Sequence, residues 1–338
     1  MILLLLLLTV VQSAFLFDPQ MAPIDSARHY HAAWLRQAGH RLERSTSMVS
    51  VDYAGSPPVN VIAAIDYAGS LLDTMLALTH PIVVSVTWAD LSTINVNLLG
   101  EGGPSTICAH PDAYAYPYVI VPTALHVALT GSACPGTSGA HLSLVITSRP
   151  PAQWYTGTDG TPPINRIDLV TIALHEMVHG LGFTSMIAGD GSNGLSPHGF
   201  TYDYFLFTGE AGWPATYGDP VPSPAISNIG ILTSAVTFDG SVTAGNVSSF
   251  SVYTPSTFAP GTSLSHVAPS GSIINRLMFP AIGFGQAWHH EGADVFVALA
   301  SMGYPMQPYV DLYNGAVSIT ANGCTTCAAS TLSSFFID

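Results

Sequence analysis

Apolar positions along this chain recur at two periods. Between Val59 and Leu78, the residues Val61, Ile62, Ala64, Ile65, Ala68, Leu71, Leu72, Met75, Leu76 and Leu78 fall at helical spacing and predict one long helix. On either side, Ser47–Tyr53 and Pro81–Trp88 are β-branched runs that predict strands, the first ended by Gly55-Ser-Pro-Pro58. His141–Thr147 predicts another strand, with Thr93–Leu98 and Tyr118–Val121 as shorter ones and Thr123–Leu129 as a short helix. Around Asp168 the pattern changes: Ile167, Leu169, Val170, Ile172, Ala173, Leu174, Met177, Val178 and Leu181 leave almost no polar face, which marks a buried helix. Asp168 is its expected N-cap, and Gly180 and Gly182 are its stop signals. Residues 209–262 are loop-rich. A last helix is predicted over Glu291–Met302, with Val295, Phe296, Ala298, Leu299 and Met302 on one side and Gly303 ending it. Strand, helix, strands, buried helix, loops and a final helix describe an α+β fold.

Composition narrows the setting. The 338 residues allow one large domain or two small ones. With 48% hydrophobic and only 8% charged residues, packing and disulfides rather than ion pairs must hold the chain together. The net charge is −14 and all seven basic residues are arginine, which excludes nucleic acid and anionic membrane surfaces as partners. Residues 1–13 look like a secretory signal peptide, with cleavage after Ser13 or, as second choice, after Ala14. The competing reading, an N-terminal anchor, needs ~20 apolar residues and the run is shorter. No later stretch is apolar enough to span a membrane and no lipid-anchor tail ends the chain, so a secreted protein without a membrane anchor is expected.

Residues 14–46 hold Arg28, Arg36, Arg41 and Arg44, the only basic stretch, and read as a pro-segment or an N-terminal brace. Four cysteines allow three pairings. Cys108–Cys134 is favoured because it closes a loop ahead of the buried helix, and Cys324-x-x-Cys327 then marks a C-terminal extension, 306–338. Asn246-Val-Ser248 is a glycosylation sequon.

The chemistry sits on the buried helix. His175 and His179 are four apart, so they share a face one turn from each other and both imidazoles reach one metal ion. Glu176 points beside them, at a water on that metal. This H-E-x-x-H spacing is that of zinc hydrolases, two ligands and a general base. Histidines and a glutamate in so apolar a helix are costly unless paired, and Zn²⁺ is the economical partner. A further ligand must come from elsewhere: His198, His266, His289 and His290 follow in the chain. Glu210 or Glu291 would serve in a zinc peptidase class with an acidic third ligand. A non-enzymatic secreted protein on a protease scaffold is the other alternative, against which the intact Glu176 argues.

His175-Glu-x-x-His179-x-x-Gly182-Phe183 resembles the metzincin metalloproteases, and within them the leishmanolysin-like group. The short metzincin pattern would put a third histidine where Ser185 stands. In leishmanolysin-like proteins a long insertion precedes that histidine. The resemblance therefore implies His266 as third ligand and Met278, in Leu277-Met-Phe-Pro280, as the methionine of the turn beneath the metal. It covers roughly residues 45–305. It implies a catalytic domain over 47–305, with an N-terminal subdomain (47–183) of twisted mixed sheet and two long helices. A loop-rich C-terminal subdomain (184–305) ending in a helix would complete it. The implied activity is that of a secreted zinc endopeptidase on protein or peptide substrates, with an extended peptide lying along a sheet edge and Glu176 as base. Some metzincins place a tyrosine after the methionine turn. None occurs here between Met278 and Tyr304, which leaves His289 and His290 as substitutes for stabilising the oxyanion.

Overall fold

In β2 (Val49–Ala54), α1 (Val59–Met75) and β3 (Ile82–Ala89) the long periodic segment and its flanking β-branched runs fold as strand, helix and strand. The structure is a computed structural model. It describes residues 13–17, 47–112, 119–137, 139–189, 199–208, 211–212, 235–244, 247–269, 277–308, 310–311 and 316–317. The expected leader before Ser13, the basic stretch, His198, Glu210, Asn246 and the Cys324/Cys327 pair lie outside these residues. No helix among the described residues is long and apolar enough to cross a membrane.

A short strand, β1 (Ser13–Phe17), precedes β2. After β3 come β4 (Leu98–Pro104), β5 (Ile107–Ala109), β6 (Val119–Pro122), α2 (Thr123–Thr130) and β7 (Leu142–Thr147). The pair β8 (Trp154–Tyr155) and β9 (Ile167–Asp168) leads into α3 (Leu169–Gly180). Then follow β10 (Gly199–Phe200), a 3-10 turn (Thr201–Phe205), β11 (Leu206–Thr208), β12 (Ala211–Gly212), β13 (Val236–Ala244) and β14 (Val247–Val252). The chain closes with β15 (Ala281–Ile282), α4 (Gly292–Met302) and the small pair β16 (Val310–Asp311) and β17 (Ala316–Val317).

The main sheet has six strands in the order β15-β1-β4-β7-β3-β2. β2, β3 and β7 run parallel, β4 is antiparallel to β7, β1 is antiparallel to β4, and β15 is parallel to β1. Burial alternates along β3 and β7 as expected of strands with one face on a core. α1 rests on β2, α3 on β4 and β7, and the two helices pack on each other, so both cover one face. This mixed α+β architecture agrees with the sequence expectation.

The second half is built on the four-stranded sheet β12-β11-β13-β14, against which α4 packs. Aromatic rings join it to the end of α3: Phe183 stacks on Phe250 at 5.8 Å and meets Tyr202 at 5.1 Å, and Phe238 stacks on Phe250 at 4.9 Å. Such ring pairs fix the two halves against one another.

Three boundaries differ from expectation. The predicted strand Thr93–Leu98 is mostly turn, and the strand begins at Leu98 and runs through Gly100-Glu-Gly-Gly-Pro104. Glycine has low strand propensity, and the reason it is strand here lies in the site below. The first long helix stops at Met75, where Leu76 turns extended and bridges to Met306, leaving Ala77 and Leu78 outside it. β1 begins at Ser13, the last residue of the expected leader, and no periodic pattern announced it.

Candidate metal centre

α3 starts and stops where its sequence says it should. The Asp168 carboxylate accepts hydrogen bonds from the backbone N–H and the hydroxyl of Thr171, capping the first turn. At the other end Gly182 adopts φ +100°, and the Phe183 N–H reaches back to the Val178 carbonyl. A Cβ at Gly182 would also lie 2.9 Å from Pro122, so both backbone and space demand glycine. That turn carries the Phe183 carbonyl under the helix end, where it accepts from His179 Nδ1 at 2.6 Å.

His266 joins His175 and His179 from a loop following β14. The loop is clasped on both sides. Tyr253 N–H donates to the His266 carbonyl at 2.7 Å, and Val267 N–H donates to the Met278 carbonyl at 2.8 Å. The preceding carbonyl, of Leu277, accepts from His175 Nδ1. The turn at Leu277–Met278 thus holds His175 directly and the neighbour of His266 through its main chain. Met278 is fully buried. His266 Nδ1 donates to the Thr262 carbonyl at 2.9 Å.

All three Nδ1 atoms face backbone carbonyls, which only accept, so each Nδ1 carries the proton and each Nε2 presents a lone pair. The three Nε2 atoms converge: His179 lies 2.9 Å from His175 and 3.2 Å from His266. Lone pairs at that separation repel unless something positive lies among them. Three nitrogens at ~2.05 Å from a tetrahedral Zn²⁺ would be about 3.3 Å apart, close to what is found. A proton is a poor alternative. Burial, then the neighbouring imidazoles, hold His175 and His179 well below the ordinary histidine range, and burial takes His266 down to about 4. The buried group His175, His179 and His266 could therefore hold a metal ion, and its donor chemistry fits one.

Glu176 lies beside them, fully buried, with neither carboxylate oxygen partnered by the protein. Burial first, and the Glu101 carboxylate second, push it well above the ordinary carboxylate range. An orphaned buried carboxylate is costly unless a water or cation meets it, which again fits a metal with a coordinated water. β4 is glycine-rich to make room for this side chain. A Cβ on Gly100 would fall 2.9 Å from Glu176 Oε1, and one on Gly102 would fall 2.8 Å from Oε2 and closer still to the Glu176 carbonyl. Gly100 and Gly102 are two apart and so share a strand face; Glu101 points to the other.

β1 covers the centre. Its Phe15 ring stacks on the His175 imidazole, centroids 3.8 Å apart and planes 15° apart, and is fully buried.

The remaining sequence candidates fall elsewhere. His289 Nε2 is 2.7 Å from the Asp168 carboxylate, at the N-terminus of α3. His175 is seven residues further along, on the order of 10 Å at 1.5 Å per residue. His289 is therefore a clamp between the helix start and the approach to α4, where Trp288 N–H also donates to the Thr171 hydroxyl at 2.8 Å. The Tyr304 hydroxyl donates to the Leu181 carbonyl at 2.9 Å and is buried there. Glu291 stands at the start of α4. Cys108 and Cys134 form a disulfide, Cα atoms 5.9 Å apart, tying β5 to the turn that follows α2.

Sequence reasoning missed Gly100, Gly102 and Phe15, and the three carbonyls that orient the imidazoles. The Gly-Glu-Gly-Gly run after Leu98-Leu99 was the available signal for the first two. A carbonyl leaves no trace in a sequence. Comparison with protein-family models, curated proteins and solved structures finds no match for this chain.

Proposed function

We propose that this chain is a secreted zinc-dependent endopeptidase of metzincin, leishmanolysin-like type. The observation that carries the reading is the unpartnered Glu176 carboxylate buried beside three imidazoles whose lone pairs converge. Histidines alone would suit a structural or transport site. A base with nothing to neutralise it suits hydrolysis. The spacing of His175, Glu176 and His179, the turn at Gly182-Phe183 and the buried Met278, whose carbonyl accepts from the Val267 N–H next to His266, support the finer assignment. The Cys108–Cys134 disulfide supports an oxidising, extracellular setting.

Bound here, Zn²⁺ would supply Lewis acidity, acidifying a water and polarising the peptide carbonyl. The chain's residues do the rest. His175, His179 and His266 stay neutral, oriented by Leu277, Phe183 and Thr262. Glu176 takes a proton as water oxygen bonds to the carbonyl carbon, and returns it to the nitrogen as the C–N bond breaks. The water-poor setting strengthens each of these interactions.

The test is a purified chain assayed for bound metal by mass spectrometry and for casein digestion, beside Glu176→Ala. Zinc near one per chain in both, with digestion lost ~10²-fold or more in the variant, is the expected result. Zinc without digestion in either would leave a binding protein, and a chain that takes up no metal would remove the reading altogether.

A further inference from the structure

His266 stands 87 residues beyond His179, yet the two Nε2 atoms lie 3.2 Å apart. Its loop must therefore be held against the end of α3. Main-chain clasps tie that loop to Tyr253 and to Met278. The Thr262 carbonyl that orients its Nδ1 belongs to the same loop and moves with it. None of these partners lies on the chain that leaves α3.

Ser265 makes that connection. Its Oγ accepts from the Ser185 backbone N–H at 3.1 Å and lies 3.2 Å from the Thr184 hydroxyl. Thr184 and Ser265 are both buried, so removing the Ser265 hydroxyl leaves its partners short of a bond that water does not replace. Thr184 N–H donates to the Gly182 carbonyl at 2.8 Å, which fixes the near side of this platform. The Asp203 carboxylate fixes the far side: it accepts from the Met186 N–H at 3.0 Å and from the Ser185 hydroxyl.

A closed circuit results. The Phe183 carbonyl holds His179 Nδ1, Thr184 and Ser185 follow Phe183, Ser265 joins them, and His266 follows Ser265. Two of the three imidazoles are thus registered against each other through one hydroxyl. Leu264, just before Ser265, sits at φ +66°, a left-handed backbone that leucine rarely adopts. Such a conformation persists where its surroundings over-determine it. Here Leu264 N–H donates to the Tyr253 carbonyl at 2.9 Å, and Ser265 is pinned on the other side. The chain leaves at Ser185 and returns at Ser265, 80 residues later, to one hydrogen-bonded point.

We infer that Ser265 is a positioning residue for the candidate metal centre: its hydroxyl closes the base of the excursion that begins at Ser185 and sets His266 against His179. The positioning role rests on the metal reading; the closure itself does not. Ser263 supplies the contrast. It is also buried in this loop, but its hydroxyl accepts from the Ala259 N–H at 2.9 Å, within the loop itself.

The experiment loads the full chain with Zn²⁺ and compares the parent with Ser265→Ala, Thr184→Val and Ser263→Ala. Metal release to a chelator, thermal unfolding and exchange of the Ser185 amide are followed in each. Ser265→Ala should release metal about tenfold faster or more, and its Ser185 amide should exchange about tenfold faster. Thr184→Val removes one of the two bonds at nearly constant shape, so its release rate should fall between those of the parent and Ser265→Ala. Ser263→Ala should lower the unfolding temperature and keep the parent's release rate. Parent-like release from a folded Ser265→Ala would overturn the inference. Equally fast release from Ser263→Ala would do so too, by reducing the effect to loop stability. If Ser265→Ala fails to fold, Thr184→Val decides, and parent-like release there overturns the positioning role. A parent chain that takes up no Zn²⁺ overturns the metal reading instead, and the Ser185 amide then tests the closure alone: slow in the parent and fast in Ser265→Ala keeps it, equally fast in both removes it.

Discussion

Replacing Gly102 by alanine tests whether β4 is glycine-rich because it lies against Glu176. The new Cβ would sit 2.8 Å from both the Cβ and Oε2 of Glu176, and nearer still to that residue's carbonyl oxygen. Ordinary contact begins near 3.4 Å, so strand and helix must part by roughly half an ångström or more. The obstacle is helix backbone rather than a flexible tip, so no rotamer change relieves it. Overpacking of this kind costs about 1–3 kcal/mol, which lowers Tm by several degrees in a chain of this size. The imidazoles are oriented by Leu277, Phe183 and Thr262, whereas the atoms nearest the new Cβ all belong to Glu176, so metal content should survive. The carboxylate moves instead, and misplacing a catalytic group by up to 1 Å costs on the order of 10²-fold in rate. The assay is metal stoichiometry, thermal unfolding and peptide hydrolysis on Gly102→Ala. Gly69→Ala in α1 serves as control, since its new Cβ would meet only side-chain methyls, of Val51 at 3.3 Å and Val49 at 3.6 Å. Wild-type hydrolysis by a well-folded Gly102→Ala would refute the packing of Glu176 on β4.

His266→Ala should lower metal affinity and activity together, whereas His198→Ala and Glu291→Gln should leave metal content unchanged; tight stoichiometric metal in His266→Ala would remove it from the ligand set. The Cys108–Cys134 disulfide closes a 26-residue interval, worth about 3 kcal/mol through the unfolded chain. Replacing both cysteines by serine should shift chemical denaturation to match, and an unchanged midpoint would deny the bond a stabilising role. Burial raises Asp203 and Asp294 to about 7 from an ordinary 3.8. The folded state thus holds their protons more tightly than the unfolded one, and their contribution to stability, full below ~4, is lost as pH rises through ~7. The Asp203→Asn/Asp294→Asn variant should show a flatter Tm profile between pH 4.5 and 7.5, and a profile parallel to the parent would contradict the burial effect.

What the sequence revealed and what it concealed divide along physical lines. α3 was legible because an all-apolar run, an Asp cap and a Gly-x-Gly stop agree with one another, and because ligand spacing on a helix follows from 3.6 residues per turn. α4 was legible for similar reasons, with Gly303 at φ +104° ending it. β4 was not, since its strand is imposed by closeness to Glu176 against glycine's own preference. β1 was hidden because an apolar segment at a chain start reads as leader whether or not it also pairs. His289 was placed near the metal by its position after Met278, yet the Asp168 carboxylate draws it to the opposite end of the helix. The convergence of His266 on the two helical histidines depended on resemblance, because 87 residues separate it from His179 and local pattern says nothing over that span.

The anchoring of all three imidazoles on main-chain carbonyls has a consequence for how such a centre can change over time. A carbonyl belongs to every residue type, so positions 183, 262 and 277 can exchange side chains and still hold Nδ1, provided the chain keeps its path. The side chains that the convergence of nitrogens itself requires are then few: three histidines, beside the one glutamate and the glycines that make room for it. Around that short inventory the text of the chain is free to be rewritten while the arrangement of nitrogens endures.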